Sequence, residues 1–237
     1  MRLLEQIHTQ PFSILLLTGL PGVGKTYLAQ EITQELSGSV PIYLQQYPFV
    51  SIIPFLQELH GIFLPGVALP TEQTRENLLE SFRTNLHRPP VIILDEIQLY
   101  APQELEGVRM LSDTKLFRFI LILHRVKKSD LLAETYFTSR IWSKIELPGL
   151  SRKEVALFVE KKLSRAGALG IKEHLNDSSF ALLHDLSQGN LRLLGKICFK
   201  LFEICEAYEA RKPSLLAQKR IPKQWIEMAA LDLGVIA

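Results

Sequence analysis

Eight consecutive residues near the start of the chain, Gly19-Leu20-Pro21-Gly22-Val23-Gly24-Lys25-Thr26, have the types and spacing to hold a phosphate group. Glycines let the backbone turn inward so that successive N–H groups converge on an anion. The lysine that follows supplies a cation for the β- and γ-phosphates of a nucleoside triphosphate. The threonine hydroxyl supplies an oxygen ligand for Mg²⁺. A second string, Val91-Ile92-Ile93-Leu94-Asp95-Glu96, runs from four apolar residues into two carboxylates. Asp95 suits the Mg²⁺ shell, and Glu96 suits orienting and polarising the water that attacks the terminal phosphate. A pair of carboxylates, rather than Asp alone, points to hydrolysis and not only to binding.

Such a site works only if a sheet presents both strings at its carboxyl edge. Apolar, β-rich runs predict strands over Ser13–Thr18, Val40–Leu44, Val91–Asp95 and Phe117–Leu123, with a weaker one at Lys144–Leu147. Three of them are largely continuous rather than alternating, the mark of strands covered on both faces of a parallel sheet. Helical periodicity over 25–36, 51–60, 71–86 and 102–111 falls between them. The expected fold is therefore α/β, a doubly wound parallel sheet of about five strands through residue 149. The phosphate-loop string sits where it must, after a buried strand and before a helix.

After Pro148-Gly149 no further strand signal follows. Ser151-Arg152-Lys153-Glu154 is a capping box, with Leu150 and Val155 as its hydrophobic staple. Helical patterns near 177–187, 190–208 and 222–232 complete a small all-helical domain. The predicted division is 1–149, a nucleotide-binding α/β domain, and 150–237, a helical lid domain. Within SQGNLRLLGK, Gly189 ends one helix, Asn190 caps the next, and Arg192 falls in its first turn. The apolar stripe of that helix runs through Leu194, Ile197, Leu201, Cys205 and Tyr208, leaving Arg192, Lys196 and Glu203 on the other face.

Composition narrows the class. The chain has 237 residues, 47% of them hydrophobic, and a formal net charge of +2, too balanced to imply nucleic-acid binding by itself. No apolar run approaches the ~18–20 residues of a membrane span. Glu5, Gln6, His8 and Gln10 interrupt the first apolar stretch, which excludes a secretory signal there. Cys198 and Cys205, seven positions apart on one helix, would lie about 10 Å from each other, too far to bridge. Two core thiols in a reducing cytosol is the expectation.

Together these features resemble an AAA+ ATPase, most closely the secretion-pathway A (ExeA-like) and pilus-biogenesis ATPases and the related TniB/TnsC transposition ATPases. The strings that carry the resemblance are GLPGVGKT, ILDEIQLY, TSRIWSKIELPGLS and SQGNLRLLGKIC. Gly167-Ala168 and the segment 180–188 also fit the helical lid of that family. The resemblance implies ATP and Mg²⁺, with nucleotide held by Gly19, Leu20, Pro21, Gly22, Val23, Gly24, Lys25, Thr26, Tyr27 and Arg192, and metal by Thr26 and Asp95. Catalysis would involve Lys25, Glu96, Arg140, Arg192 and His124. Arg140 would be an arginine finger reaching a neighbouring subunit's γ-phosphate, which implies a homo-oligomer; a surface arginine before the last strand is the alternative. His124 occupies the sensor-1 position, where a small polar residue is usual, and could equally cap a strand end. Arg192 would be sensor 2, against an ordinary solvated side chain. Preference for adenine follows from the resemblance alone.

Two classes of partner fit. One is a protein of a secretion or type IV pilus-like system, which would place the chain in the cytoplasm and recruit it to the inner membrane through that partner. The other is DNA, favoured by Arg211, Lys212, Lys219, Arg220 and Lys223, although a solvated loop explains these charges as well. Trp225 fits the apolar face of a last helix better than a base-stacking platform. A low-turnover nucleotide switch is a third possibility.

Overall fold

The computed structural model describes residues 2–124, 139–167, 169–211 and 220–236. Residues 1–19 with 25–147, and residues 20–24 with 148–237, group as two compact units. The five residues between Gly19 and Lys25 thus group with the helical part of the chain.

The first unit holds the sheet. Its elements run α1 (Arg2–Thr9), β1 (Ile14–Gly19), α2 (Lys25–Leu36), β2 (Ile42–Gln45), α3 (Ile52–Phe63), α4 (Arg75–Asn85), β3 (Val91–Leu94), α5 (Pro102–Asp113), β4 (Arg118–His124) and β5 (Ile141–Glu146). The strand order is β2-β3-β4-β1-β5, and every pairing is parallel. Strands β1 and β3 are buried at every position, as their continuous apolar sequences require. Alternate residues serve opposite faces. Ile14, Leu16, Ile92, Leu94, Phe119 and Leu121 pack with α3, α4 and α5, while Leu15, Leu17, Val91, Ile93, Ile120 and Ile122 pack with α2 and α1.

The boundaries differ from the sequence expectation where one local signal outweighs another. Helix α4 begins at Arg75, later than residue 71, because the Thr74 hydroxyl accepts the Asn77 backbone N–H at 3.2 Å and sets the start. Helix α3 runs on through Gly61 to Phe63. Strand β5 begins at Ile141, ahead of the expected Lys144. It lies at the sheet edge with Trp142, Lys144 and Glu146 exposed, so its sequence alternates instead of forming an apolar run. Helix α1, which carries no strong sequence signal, is held by Arg118: the guanidinium donates to the Ile7 carbonyl at 2.8 Å and lies over the Phe12 ring at 5.2 Å. Burial lowers the pKa of that guanidinium.

The second unit is helical, built from α6 (Arg152–Arg165), α7 (Asp177–Ser187), α8 (Leu191–Arg211) and α9 (Lys223–Asp232). The capping box at Ser151 and Glu154 is formed: Glu154 accepts the Ser151 N–H at 2.8 Å, and Ser151 Oγ accepts the Glu154 N–H at 3.4 Å. Val155, Val159, Leu163, Leu183, Leu194, Ile197, Leu201 and Cys205 make the core, with Leu150 and Tyr208 packed against it. Trp225 is buried there too and stacks on Tyr208 with ring centroids 4.7 Å apart, so it is a core residue. Cys198 is half-buried and Cys205 buried, and no disulfide joins them.

The turn between α7 and α8 needs left-handed backbone at two residues, Gln188 (φ 51°) and Gly189 (φ 70°). A Cβ on Gly189 would come within 2.2 Å of the Leu150 carbonyl oxygen, so only glycine fits. Helix α7 therefore ends at Ser187, two residues before Gly189, and is capped by a glutamine in a conformation such residues seldom adopt.

Candidate functional site

Two groups of predicted residues are assembled, one in each unit. In the sheet unit the assembly follows from strand register. Gly19, the last residue of β1, pairs with His124, the last of β4, so the residue entering the loop and the histidine lie side by side. Strand β3 stops at Leu94, and the next two residues are the carboxylates. Lys25, at the start of α2, is almost fully buried at 5% exposure. Its ammonium donates to the Gly19 carbonyl at 3.0 Å and to His124 Nδ1 at 3.0 Å. An ammonium has no lone pair, so Nδ1 must accept and the ring proton must sit on Nε2. That Nε2–H donates to Glu96, 2.8 Å from Oε2 and 3.0 Å from Oε1. The Gln98 amide donates to Oε2 of the same carboxylate. Gln98 Oε1 also lies 3.5 Å from the His124 backbone N–H. Lys25, His124, Glu96 and Gln98 thus form one hydrogen-bonded chain.

Asp95 and Thr26 make a second contact beside it. The Thr26 hydroxyl donates to Asp95 Oδ2 at 2.6 Å, and Asp95 Oδ1 accepts the Glu96 backbone N–H at 2.8 Å. Asp95 is buried, at 3% exposure. Glu96 sits at φ 52°, a left-handed conformation uncommon outside glycine, which turns its side chain out of the strand direction just after Asp95. Two hard oxygen donors 2.6 Å apart fit Mg²⁺, an ion that keeps several waters and takes its remaining ligands from substrate phosphates. Among the described residues no group of three or more His, Cys, Asp and Glu side chains could hold a metal by itself.

In the helical unit the loop residues Leu20, Pro21, Gly22, Val23 and Gly24 meet the N-terminus of α8. Gly22 (φ 83°) and Gly24 (φ 98°) carry the conformation that only glycine adopts freely, as the loop motif requires. The Arg192 backbone N–H donates to the Gly22 carbonyl at 3.1 Å, and its side chain is exposed. Leu20 and Tyr27 are half exposed.

Arg140 is engaged within its own chain. Its Nε and Nη2 donate to the two oxygens of Asp113, at 2.5 and 2.9 Å, and Asp113 also receives Arg109 at 3.0 Å. The two guanidiniums hold the Asp113 carboxyl below its usual range, the Arg140 hydrogen bond most strongly. Of the basic run, Lys212 and Lys219 lie outside the described residues, as does Thr138; Arg220 and Lys223 are exposed.

Sequence reasoning did not assign roles to Gln98, Asp113 or the Asn190 side-chain amide. Gln98 was within reach, since it lies two residues past Glu96 in the quoted DEIQ string. The pairing of Asp113 with Arg140 spans 27 positions and has no local signature.

The parallel sheet, the glycine loop after β1 and the carboxylate pair after β3 define a phosphate-loop nucleotide-binding protein of AAA+ fold. A family model described as AAA domain (AAA_22) matches residues 9–132, just over half of the chain, and the chain belongs to that family. Among solved structures it is similar to RuvB of Thermotoga maritima, a Holliday junction branch migration motor, at 18% identity and a TM-score of 0.61, over 98% of this chain and 67% of RuvB. It is similar to Aeropyrum pernix ORC1 in complex with DNA at 18% identity and a TM-score of 0.61, over 98% of this chain and 63% of that one. Drosophila ORC bound to DNA follows at 14% identity and a TM-score of 0.59, over 88% and 60%. These likenesses are of fold, and the chain spans about two thirds or less of each of those proteins. No curated protein matches. Among the described residues no helix is long and apolar enough to cross a membrane.

Proposed function

We propose that the protein binds ATP with Mg²⁺ and hydrolyses it, using the free energy to switch between conformations that hold a partner differently. The observation that carries this is the chain from Lys25 through His124 to Glu96: it joins the phosphate-loop cation to the water-orienting carboxylate through one residue. In the proposal Lys25 exchanges Gly19 and His124 for the β- and γ-phosphates. Thr26 and Asp95 hold the metal, which supplies charge neutralisation at the phosphates. Glu96 then orients the attacking water, and His124, in the sensor-1 role, keeps Glu96 in place. Arg192 is assigned as sensor 2 and Arg140 as a finger acting in trans within a homo-oligomer, released from Asp113 on assembly. The division of labour is 1–149 for nucleotide binding and 150–237 as the helical lid. The loop and Tyr27 complete the nucleotide-binding set.

For the work done, the resemblance of ILDEIQLY and TSRIWSKIELPGLS supports assembly of a secretion or type IV pilus-like system, with the protein cytoplasmic and recruited to the inner membrane by a protein partner. A second assignment, a DNA-associated regulator of the TniB/TnsC type, is supported by the neighbours described with DNA and by exposed Arg220 and Lys223. Nucleotide and DNA binding measured together across a salt series tests both. Wild type should bind ATP and Lys25→Ala should not; binding that survives this change refutes the assigned site. DNA affinity that requires ATP and falls steeply with salt supports the DNA assignment. No affinity even at low salt refutes it and leaves the protein partner.

A further inference from the structure

Asn190 makes contacts that a helix cap alone does not need. Its Oδ1 accepts the backbone N–H groups of Arg192 and Leu193, each at 3.1 Å, which caps α8. Its Nδ2 points the other way and donates to the Pro21 carbonyl at 2.7 Å. The next carbonyl, that of Gly22, accepts the Arg192 N–H at 3.1 Å. Contact is close: a Cβ on Gly22 would lie 2.4 Å from Asn190 Oδ1, and one on Gly24 would lie 2.6 Å from Leu191 Cδ1, so a side chain at either position would displace its neighbour on α8. Two successive loop carbonyls are therefore held by the start of one helix.

The peptide bonds are trans, so each N–H lies opposite its carbonyl in the same plane. Fixing the Pro21 and Gly22 carbonyls against α8 turns the N–H groups of Gly22 and Val23 away from the helix. In a loop that binds an anion, N–H groups face the anion and carbonyls face outward. We infer that Asn190 is a positioning residue for the phosphate loop: its side-chain amide holds the Pro21–Gly22 peptide, next to the Gly22–Val23 peptide held by the Arg192 N–H, in its phosphate-binding orientation before nucleotide arrives. This rests on the assignment of the loop as the phosphate site. It also gives Gly22 a second reason to be glycine, since space for Asn190 is needed as well as the positive φ.

The isosteric change Asn190→Asp separates the two duties. A carboxylate still accepts from Arg192 and Leu193 and suits a helix N-terminus, but it has no hydrogen to give Pro21 and sets a negative oxygen against that carbonyl. The affinity of the full chain for a fluorescent ATP analogue with Mg²⁺ should fall about tenfold, while its melting temperature without nucleotide stays near that of wild type. Asn190→Ala should lower both. Unchanged affinity in Asn190→Asp overturns the inference and leaves Asn190 as a cap. A second measurement covers the case in which the variant does not fold. Coupling is reciprocal, so ATP bound to wild type must slow hydrogen exchange at the Arg192 amide. Saturating nucleotide without such slowing overturns the inference equally. Wild type that binds no nucleotide overturns the functional assignment together with this one; wild-type binding with an unaffected Asn190→Asp overturns only this one.

Discussion

At the residue scale the geometry turns on His124. A small polar residue in its position could orient a water but could not span the distance between Lys25 and Glu96. The imidazole does, with one nitrogen on each, and the lysine fixes which nitrogen carries the proton. Because the ring presents its Nε2–H to Glu96, the carboxylate is held as a hydrogen-bond acceptor facing a fixed direction, with Gln98 donating to its Oε2 as well. His124→Ala should therefore misplace Glu96 and reduce kcat for ATP hydrolysis up to about a hundredfold, the cost of a small displacement of a catalytic group. Nucleotide affinity should change much less, because the glycine loop and Lys25, which meet the phosphates in the proposal, are left intact. Rates and binding measured on the same preparation check this. An unchanged kcat would return His124 to the role of a strand-end residue.

At the element scale the helical unit depends on how its helices begin and turn. The Ser151–Glu154 capping box satisfies two backbone donors at the start of α6, and Ser151→Ala should cost about 1 kcal/mol of stability. Hydrogen bonds from the Ser151 hydroxyl and backbone hold the Glu154 carboxyl below its ordinary 4.5. A lowered folded-state pKa contributes stability that is present above the ordinary value and disappears as pH falls through the folded one. Glu154→Gln should thus melt lower than wild type at neutral pH, and the gap should close in acid below 4.5, as a pH series of thermal melts will show. This box was legible in four consecutive residues, as were the phosphate loop and the β3 carboxylates. Signals confined to a few neighbours survive the reading of a sequence. Strand β5 begins three residues ahead of its apolar signal because an edge strand alternates, and α1 carries no strong local signal because a half-buried arginine 111 positions away holds it. The site was legible in its two strings, but Lys25–His124–Glu96 comes from the register of β1 against β4, which no local pattern records.

At the scale of the whole molecule, the Asp113–Arg140 pair separates a chain that works alone from one that works beside copies of itself. The pair is exposed, so Arg140→Ala should barely change the melting temperature. If Arg140 acts on a neighbour, the same variant should lose turnover and keep nucleotide binding. Mixed with Glu96→Gln protein it should regain part of the activity, because one composite site then holds both intact groups. No recovery on mixing would refute the finger in trans.

Hydrolysis of ATP with Glu96 as the water-orienting carboxylate is the proposal on which every other assignment depends. Phosphate release from ATP and Mg²⁺, followed for wild type and Glu96→Gln at equal nucleotide occupancy, tests it most directly. Steady release by wild type, reduced at least a hundredfold in Glu96→Gln while nucleotide stays bound, is the predicted result. Equal release by the two proteins, or none from wild type with nucleotide bound, would contradict it.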